Sequence, residues 1–166
     1  MPKPPTRRQL IASSKKDPNN ADLLSQIAAS YFQDGNFEKA YVYDRLAWLV
    51  NSKNVIHLAN LAVDLGMLGW YEDSITLSKG IIKWNLNKMC RDCGVDERMA
   101  KSVKNDCRFR ISVMYFLLKQ EAMARRYLNL YLRIRKSDNL STNIPKPHLK
   151  QQWTDLYLNR RIKITM

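Results

Sequence analysis

The strongest constraint on the fold of this chain is an internal repeat of 34 residues. Such a period is typical of repeat architectures, in which each unit is one small piece of supersecondary structure. Superimposing the sequence on itself with this shift aligns Leu24 with Leu58, Ile27 with Leu61, Ala28 with Ala62, Tyr31 with Leu65, Gly35 with Gly69, Phe37 with Tyr71, Ala40 with Ser74, and Ala47 with Ile81. Two apolar stripes at helical spacing flank the glycine of each unit, which predicts two helices joined by a short turn.

The residues of the first unit also follow the pattern of a known family. The matching positions are Ile27, Ala28, Tyr31, the segment from Gly35 to Ala40, and Ala47. Over residues 17–86 the chain resembles the tetratricopeptide repeat family, whose units are helix–turn–helix hairpins of 34 residues. The resemblance implies an all-α fold of tandem hairpins that form a short right-handed superhelix. The chain departs from the family at Asp44, Ser52 and Ser74, where an aromatic residue, proline and alanine are usual.

A third unit follows the second after a longer interval, 50 residues instead of 34. Its signature positions hold Ile111, Ser112, Tyr115, Ala124 and Tyr131. Lys119 stands where the other units have the turn glycine. An unbroken apolar stripe at helical spacing runs from Val95 to Leu118. We therefore expect the first helix of this unit to extend backward to about Asp96.

These patterns predict a single all-α domain over residues 1–166. A chain of this length can bury a core without disulfides or a structural metal. The spacing of Trp153 and Leu156 predicts an amphipathic C-terminal helix, which is expected to cap the stack of hairpins. The predicted segments are a preceding helix at 6–16, repeat 1 at 21–52, repeat 2 at 55–86, a loop at 87–94, an extended repeat 3 at 95–136, and a capping helix at 147–160.

The family resemblance also implies a binding groove. In the family, the first helix of each hairpin lines the concave side of the superhelix. The residues that the resemblance assigns to this groove are Phe32, Asn60, Val63, Met67, Phe109, Arg110, Val113 and Phe116. Much of this surface is apolar and would suit an amphipathic helix or an extended peptide of a partner protein. Alternatively, the C-terminal helix folds back and fills the groove as core.

Some family members clamp the C-terminal carboxylate of their partner with lysine, arginine and asparagine side chains. In this sequence Asn60 and Arg110 match that set. Ser25, Ala29 and Asp106 do not match, and Asp106 would repel the anion. Recognition of a terminal carboxylate is therefore disfavoured.

The three cysteines raise the question of a metal site. Cys90 and Cys93 have the spacing of half a zinc site. Cys107 follows 14 residues later, but it falls on the apolar stripe, which predicts a buried structural thiol. We therefore expect reduced cysteines, no bound metal and no cofactor.

The net charge of +13 lies entirely in the second half of the chain. Residues 1–78 are balanced, whereas residues 79–166 hold 20 Lys and Arg against 7 Asp and Glu. This asymmetry predicts a partner with an acidic or amphipathic segment. A basic patch is predicted on the second helix of the third hairpin, at Arg125, Arg126, Arg133, Arg135 and Lys136. It would serve the alternative function, association with RNA or DNA through the phosphate backbone, unless it is simply a solvated helix face.

No arrangement typical of a catalytic site is found in the sequence. His57 is expected to be a packing residue. The predicted function is that of a non-enzymatic adaptor or chaperone that binds a segment of another protein. Small three-repeat secretion chaperones of the bacterial cytoplasm are similar in length and layout. The sequence has no apolar segment of the signal-peptide or transmembrane type, so a cytoplasmic location is expected.

Overall fold

The computed structural model describes residues 4–140, and every regular element in this range is an α-helix. The helices are α1 (Arg7–Lys16), α2 (Ala21–Gln33), α3 (Phe37–Val50), α4 (Val55–Met67), α5 (Tyr71–Lys83), α6 (Leu86–Cys93), α7 (Glu97–Leu117) and α8 (Glu121–Ser137). The all-α prediction is therefore confirmed for the described part of the chain. Across that part, no helix has both the length and the apolar character needed to cross a membrane. The predicted capping helix at 147–160 lies outside the described residues.

The chain divides into two compact units, Met1–Ser74 and Ile75–Met166, where the sequence predicts a single domain. Helices α1 to α4 lie in the first unit, and α6 to α8 lie in the second. The boundary falls inside α5, between Ser74 and Ile75. In a helical repeat each hairpin contacts only its sequence neighbours, so the array separates readily into compact parts.

Polar side chains begin most of the helices. A side-chain oxygen at the N-cap accepts a hydrogen bond from a backbone N–H in the first turn, which would otherwise lack a partner. Thr6 and Gln9 form a reciprocal capping box at the start of α1. The same role falls to Asn20 for α2, Asn36 for α3, Asn54 for α4, Asn85 for α6 and Asp96 for α7. The cap at Asp96 explains why α7 begins at Glu97, as the sequence predicts.

The turns of the three hairpins have the same geometry. Gly35 and Gly69 adopt φ angles of 74° and 84°, in the left-handed region that glycine enters without steric cost. Lys119 occupies the same position in the third hairpin with φ of 59°, although it has a side chain. In each turn the next N–H bonds back to the first helix, from Asn36 to Tyr31, Trp70 to Leu65 and Gln120 to Tyr115, at 3.0, 2.9 and 2.8 Å. This bond closes the helix end in the manner of a Schellman motif.

Residues 87–94, predicted as a loop, are mostly helical, and this prediction is wrong. Helix α6 is short, with Asn85 as its N-cap and Gly94 as its C-cap at φ of 64°. Met89 on this helix is fully buried. One buried apolar side chain and two good caps stabilise a helix that is too short to show an apolar period in the sequence.

Candidate binding surface

The first unit contains a cleft of about 230 Å³ between α2, α3 and α4. Its lining residues are Ala29, Phe32, Gln33, Asp44, Asn60, Val63 and Asp64. The three residues from α2 and the three from α4 each have the spacing i, i+3, i+4, which places them on one face of their helix. Both faces lie on the first helix of a hairpin, where the family resemblance implies the binding surface.

One side of the cleft is apolar. The ring of Phe32 is half-buried and meets Phe37 edge to face, with 5.2 Å between the ring centroids. Val63 is half-buried and Ala29 is exposed. These groups form an apolar wall next to solvent.

The other side of the cleft is a polar network around a buried carboxyl group. Asp44 is only 5% exposed, and the hydroxyl of Ser25 donates to its Oδ1 at 3.0 Å. Asn60 in turn donates through Nδ2 to Ser25 Oγ at 3.1 Å. Asp64, 1% exposed, hydrogen-bonds the side chain of Asp44. Two carboxyl groups can share a hydrogen bond only when one of them carries a proton.

Burial raises the pKa of Asp44 from 3.8 to about 6. The cause is desolvation, because a carboxylate loses its water on entering the protein. Hydrogen bonds with Ser25, Asp64 and Asn60 lower the pKa and offset part of this effect. Near neutral pH the cleft therefore contains a carboxylate that is partly removed from water.

Three of the predicted groove residues, Phe32, Asn60 and Val63, meet at this cleft. Met67, also predicted, is 50% exposed on α4 and does not line it. Sequence reasoning missed Asp44 and Asp64. Asp44 interrupts the buried stripe of α3 between Ala40 and Ala47, and a carboxylate in such a stripe is a signal that could have identified the site.

In the second unit, the predicted groove residues of α7 do not share one environment: Phe109 is buried, and the other three are half-buried. Phe109 is buried, and its ring centroid lies 5.4 Å from that of Tyr131 on α8, so the expected exposure of Phe109 is wrong. Its neighbour one turn earlier, Asn105, donates to the carbonyl oxygen of Tyr131 at 3.1 Å. This face of α7 therefore packs against α8.

Arg110, Val113 and Phe116 are half-buried on α7. The guanidinium of Arg110 donates to the Ser78 hydroxyl at 3.4 Å. The ring of Phe116 and the side chain of Val113 are partly open to solvent, and Leu117 beside them is 46% exposed. They form a second, separate surface with apolar character.

The predicted basic patch lies on α8. Arg126, Arg133 and Lys136 are exposed, whereas Arg125 and Arg135 are half-buried. Arg125 Nη2 lies 3.7 Å from the carboxylate of Glu121 one turn earlier. Three of the five predicted cations are therefore exposed to solvent on α8, and the other two are partly covered.

The three cysteines and His57 lie in half-buried or buried positions on α4, α6 and α7. Cys90 and Cys93 are half-buried on α6, and Cys107 is buried on α7, where burial raises the pKa of its thiol. Within residues 4–140 no group of three His, Cys, Asp or Glu residues is placed to hold a metal ion. His57 is buried on α4, and burial lowers the pKa of its imidazole, which favours the neutral ring.

The structure also has an exposed apolar stripe that sequence reasoning did not single out. Val42, Leu46, Leu49 and Val50 on α3 are 40% to 59% exposed. Their spacing places them along one side of the helix. This second surface of the first unit, called here the α3 stripe, is a natural control for the cleft.

The comparisons with known proteins concern the fold. The sequence matches no protein-family model, and no curated protein matches it. Among solved structures, the crystal structure of MamA, a tetratricopeptide-repeat-like protein, aligns with 95% of this chain and with 76% of its own chain. The TM-score is 0.63 and the sequence identity is 14%. The helices of this chain therefore form a fold similar to that of tetratricopeptide-repeat proteins.

Proposed function

We propose that this chain is a non-enzymatic adaptor or chaperone that binds a segment of another protein at the cleft between α2, α3 and α4. The observation that carries the proposal is the composition of the cleft. It combines an apolar wall at Phe32 and Val63 with polar groups at Asp44 and Asn60. Binding sites in proteins are typically concave, mostly apolar and fitted with a few polar groups that orient the ligand.

The location of the cleft supports the same proposal. It lies on the first helices of two consecutive hairpins and on α3, and it has an exposed residue, Ala29, in its lining. A partner helix or extended segment that covers Phe32 and Val63 would bury apolar surface, which is worth about 25 cal/mol per Å² before ordering costs. One or two anchor side chains then account for most of the affinity.

Val113 and Phe116 on α7 form the second proposed contact region, described for the second unit alone. Both side chains are half-buried and lie on the first helix of the third hairpin. The basic residues of α8 would favour a partner with acidic segments by increasing the rate of encounter. Tetratricopeptide-like folds typically serve as protein-interaction scaffolds, so the nucleic-acid alternative is not favoured.

Site-specific crosslinking tests the proposed surface. A photo-crosslinking amino acid at Ala29, which is exposed and lines the cleft, is expected to capture the partner in cells. The matched control carries the same amino acid at Leu49 on the α3 stripe, 59% exposed. Mass spectrometry of the crosslinked bands then identifies the partner. Capture from Leu49 together with no capture from Ala29 would place the binding surface on α3 and contradict the proposal.

Binding measurements with the identified partner complete the test. Phe32→Ala and Val63→Ala are expected to weaken binding, by about 2 kcal/mol at a hot spot. Leu46→Ala on the α3 stripe is the control and should leave the affinity unchanged. Melting curves show whether each variant is folded. Wild-type affinity in folded Phe32→Ala and Val63→Ala would exclude the cleft.

A further inference from the structure

We infer that Lys104 and Arg108 on α7 form a binding site for a carboxylate group, supplied by an acidic residue of a partner protein. The two residues are four positions apart on one helix, which places them one above the other on the same face. Both side chains are half-buried. They belong to the second unit, whereas the proposed cleft belongs to the first, so the inference goes beyond the proposed function.

The two cations have no carboxylate between them. Arg108 makes no hydrogen bond and no ion pair with any residue in the described range, 4–140. Lys104 donates through Nζ to a main-chain carbonyl, that of Trp84, at 2.7 Å. Like charges one turn apart destabilise a helix, and a half-buried charge without a counterion adds to that cost. A carboxylate bound between the two side chains would offset both effects.

The electrostatics of the pair support this arrangement. Burial lowers the pKa of Lys104, and the nearby guanidinium of Arg108 lowers it further. Burial also lowers the pKa of Arg108, and Cys107, Asp138 and Tyr127 offset part of that effect. Both pKa values are thus shifted in the direction that disfavours the cation, whereas a bound anion favours the charged form of each side chain.

Acidic residues on the same helices pair with other cations. Glu97 Oε1 lies 2.7 Å from Lys101 Nζ on α7, and Glu121 Oε2 lies 3.7 Å from Arg125 Nη2 on α8. Residues 79–166 hold 20 Lys and Arg against 7 Asp and Glu, so most cations in this half of the chain cannot be matched by its own acids. This surplus favours an acidic ligand from outside the chain.

Trp84 adds an aromatic surface and a third cation to the site. Its carbonyl holds the Lys104 ammonium, and Lys88 Nζ on α6 lies 5.9 Å from the centroid of its half-buried ring. A segment with an acidic residue beside an apolar one fits this surface, because the carboxylate meets Lys104 and Arg108 while the apolar side chain packs on the ring. A nucleic-acid backbone would instead require a longer track of cations.

Short peptides test the inference without knowledge of the partner. The full chain is titrated at low salt with hexaglutamate, and backbone amide shifts are followed by NMR. We expect saturable shifts at Trp84, Lys104 and Arg108. The matched neutral peptide, hexaglutamine, should cause none. The absence of shifts with hexaglutamate would overturn the inference, as would tighter binding of the RNA hexauridylate at the same amides.

A charge-removing variant provides the second arm. Arg108→Met keeps an apolar stem and removes the charge. It should weaken hexaglutamate binding about fivefold. The melting temperature of the free protein should not fall, because the repulsion of Lys104 is relieved. Arg108→Lys retains the charge and should keep most of the binding.

A cation removed elsewhere in the second unit is the matched control. Lys136 is exposed on α8, and Lys136→Met should weaken hexaglutamate binding by less than about twofold. Equal losses in Arg108→Met and Lys136→Met would show attraction by net charge alone and would overturn the inference.

Lys104→Met tests the other half of the pair and should also weaken hexaglutamate binding. Lower melting temperatures in Lys104→Met and Arg108→Met, with wild-type binding of hexaglutamate, would show a purely structural role and overturn the inference. The cleft variant Phe32→Ala should bind hexaglutamate like the wild type. The peptide titration is therefore independent of the crosslinking at Ala29, and either proposal can fail alone.

Discussion

The hydroxyl of Ser112 donates a hydrogen bond to the main-chain carbonyl of Ala124, 2.8 Å away across the third hairpin. The preceding hairpin has the same contact in reverse, from Ser74 on its second helix to the carbonyl of Ala62 on its first, at 2.6 Å. The close approach of the two helices thus needs one small residue on each, and either one can carry the hydroxyl. This exchange explains why serine replaces the usual alanine at position 74 without loss of the hairpin.

Replacing either serine by alanine should have a small cost. Ser74→Ala and Ser112→Ala each remove one buried hydrogen bond, and we expect the free energy of unfolding to fall by about 1 kcal/mol. The first hairpin shows that two alanines fit, since Ala28 and Ala40 are both fully buried there. Chemical denaturation measures the change. Ala28→Leu is the contrasting variant, because overpacking should cost about 1–3 kcal/mol. A harmless Ala28→Leu would contradict the close contact.

Lys119 should be a site of stored backbone strain. A residue with a side chain in the left-handed region costs about 1–2 kcal/mol relative to the right-handed helix. Lys119→Gly relieves this strain, and part of the gain is offset because glycine makes the unfolded chain more flexible. We expect the free energy of unfolding to rise by about 0.5–1 kcal/mol.

Gly69→Lys is the reciprocal control for the turn. A Cβ at Gly69 would meet no atom within 4 Å, so the substitution tests backbone conformation alone. It should lower the free energy of unfolding by a similar amount. Equal stabilities for wild type, Lys119→Gly and Gly69→Lys would show that the two turns do not share the left-handed position.

The stability of the first unit should depend on pH through Asp44. Burial raises its pKa from 3.8 to about 6, so between these values the folded state holds a proton that the unfolded chain has released. The stabilisation is fully present below pH 3.8 and is lost as pH rises through about 6. Asp44→Asn stays neutral, so it should exceed wild type by about 2–3 kcal/mol at pH 7 and by little at pH 4.

Urea denaturation of both proteins at several pH values measures this difference. The pKa of His57 is lowered by burial and contributes the opposite trend, a loss of stability as pH falls. That contribution is common to both proteins and cancels in the comparison. A difference that is constant between pH 4 and 7 would contradict the raised pKa of Asp44.

Phe109 and Phe32 should respond differently to truncation. Phe109 is buried against Tyr131, so Phe109→Ala should lower the free energy of unfolding by about 3–5 kcal/mol. Phe32 is half-buried at the cleft, so Phe32→Ala should cost less stability and should mainly weaken partner binding. Thermal melting and binding measured on the same preparations distinguish the two effects. A stable Phe109→Ala variant with weakened binding would indicate instead that Phe109 contacts the partner.

The exposed cations of α8 should act on the rate of association. Arg126→Glu and Arg133→Glu reverse charges one above the other on α8, and we expect slower association with an acidic partner. The effect should shrink at high salt because exposed charges are screened. Stopped-flow or surface-based kinetics at two ionic strengths measure it. Faster dissociation at every salt concentration would instead indicate that these residues lie inside the interface.

Much of the fold follows from local rules that the sequence displays directly. The apolar periods locate the helices, Asn20, Asn36 and Asp96 begin them, and Gly35 and Gly69 end the first helix of two hairpins. These features depend on residues only a few positions apart, so a single sequence suffices to predict them. The same local rules do not predict α6, because a helix of eight residues depends on the tertiary packing of Met89 for its stability.

The proposed binding surface depends instead on tertiary structure. Phe109 has the same spacing as a groove residue, but the packing of α7 against α8 turns its ring toward Tyr131. Asp44 and Asp64 lie 20 positions apart, and only the packing of α3 against α4 brings their carboxyl groups together. Periodicity in a sequence determines which residues share a face of one helix. Which faces meet, and which carboxyl groups come together there, is decided by how the helices pack.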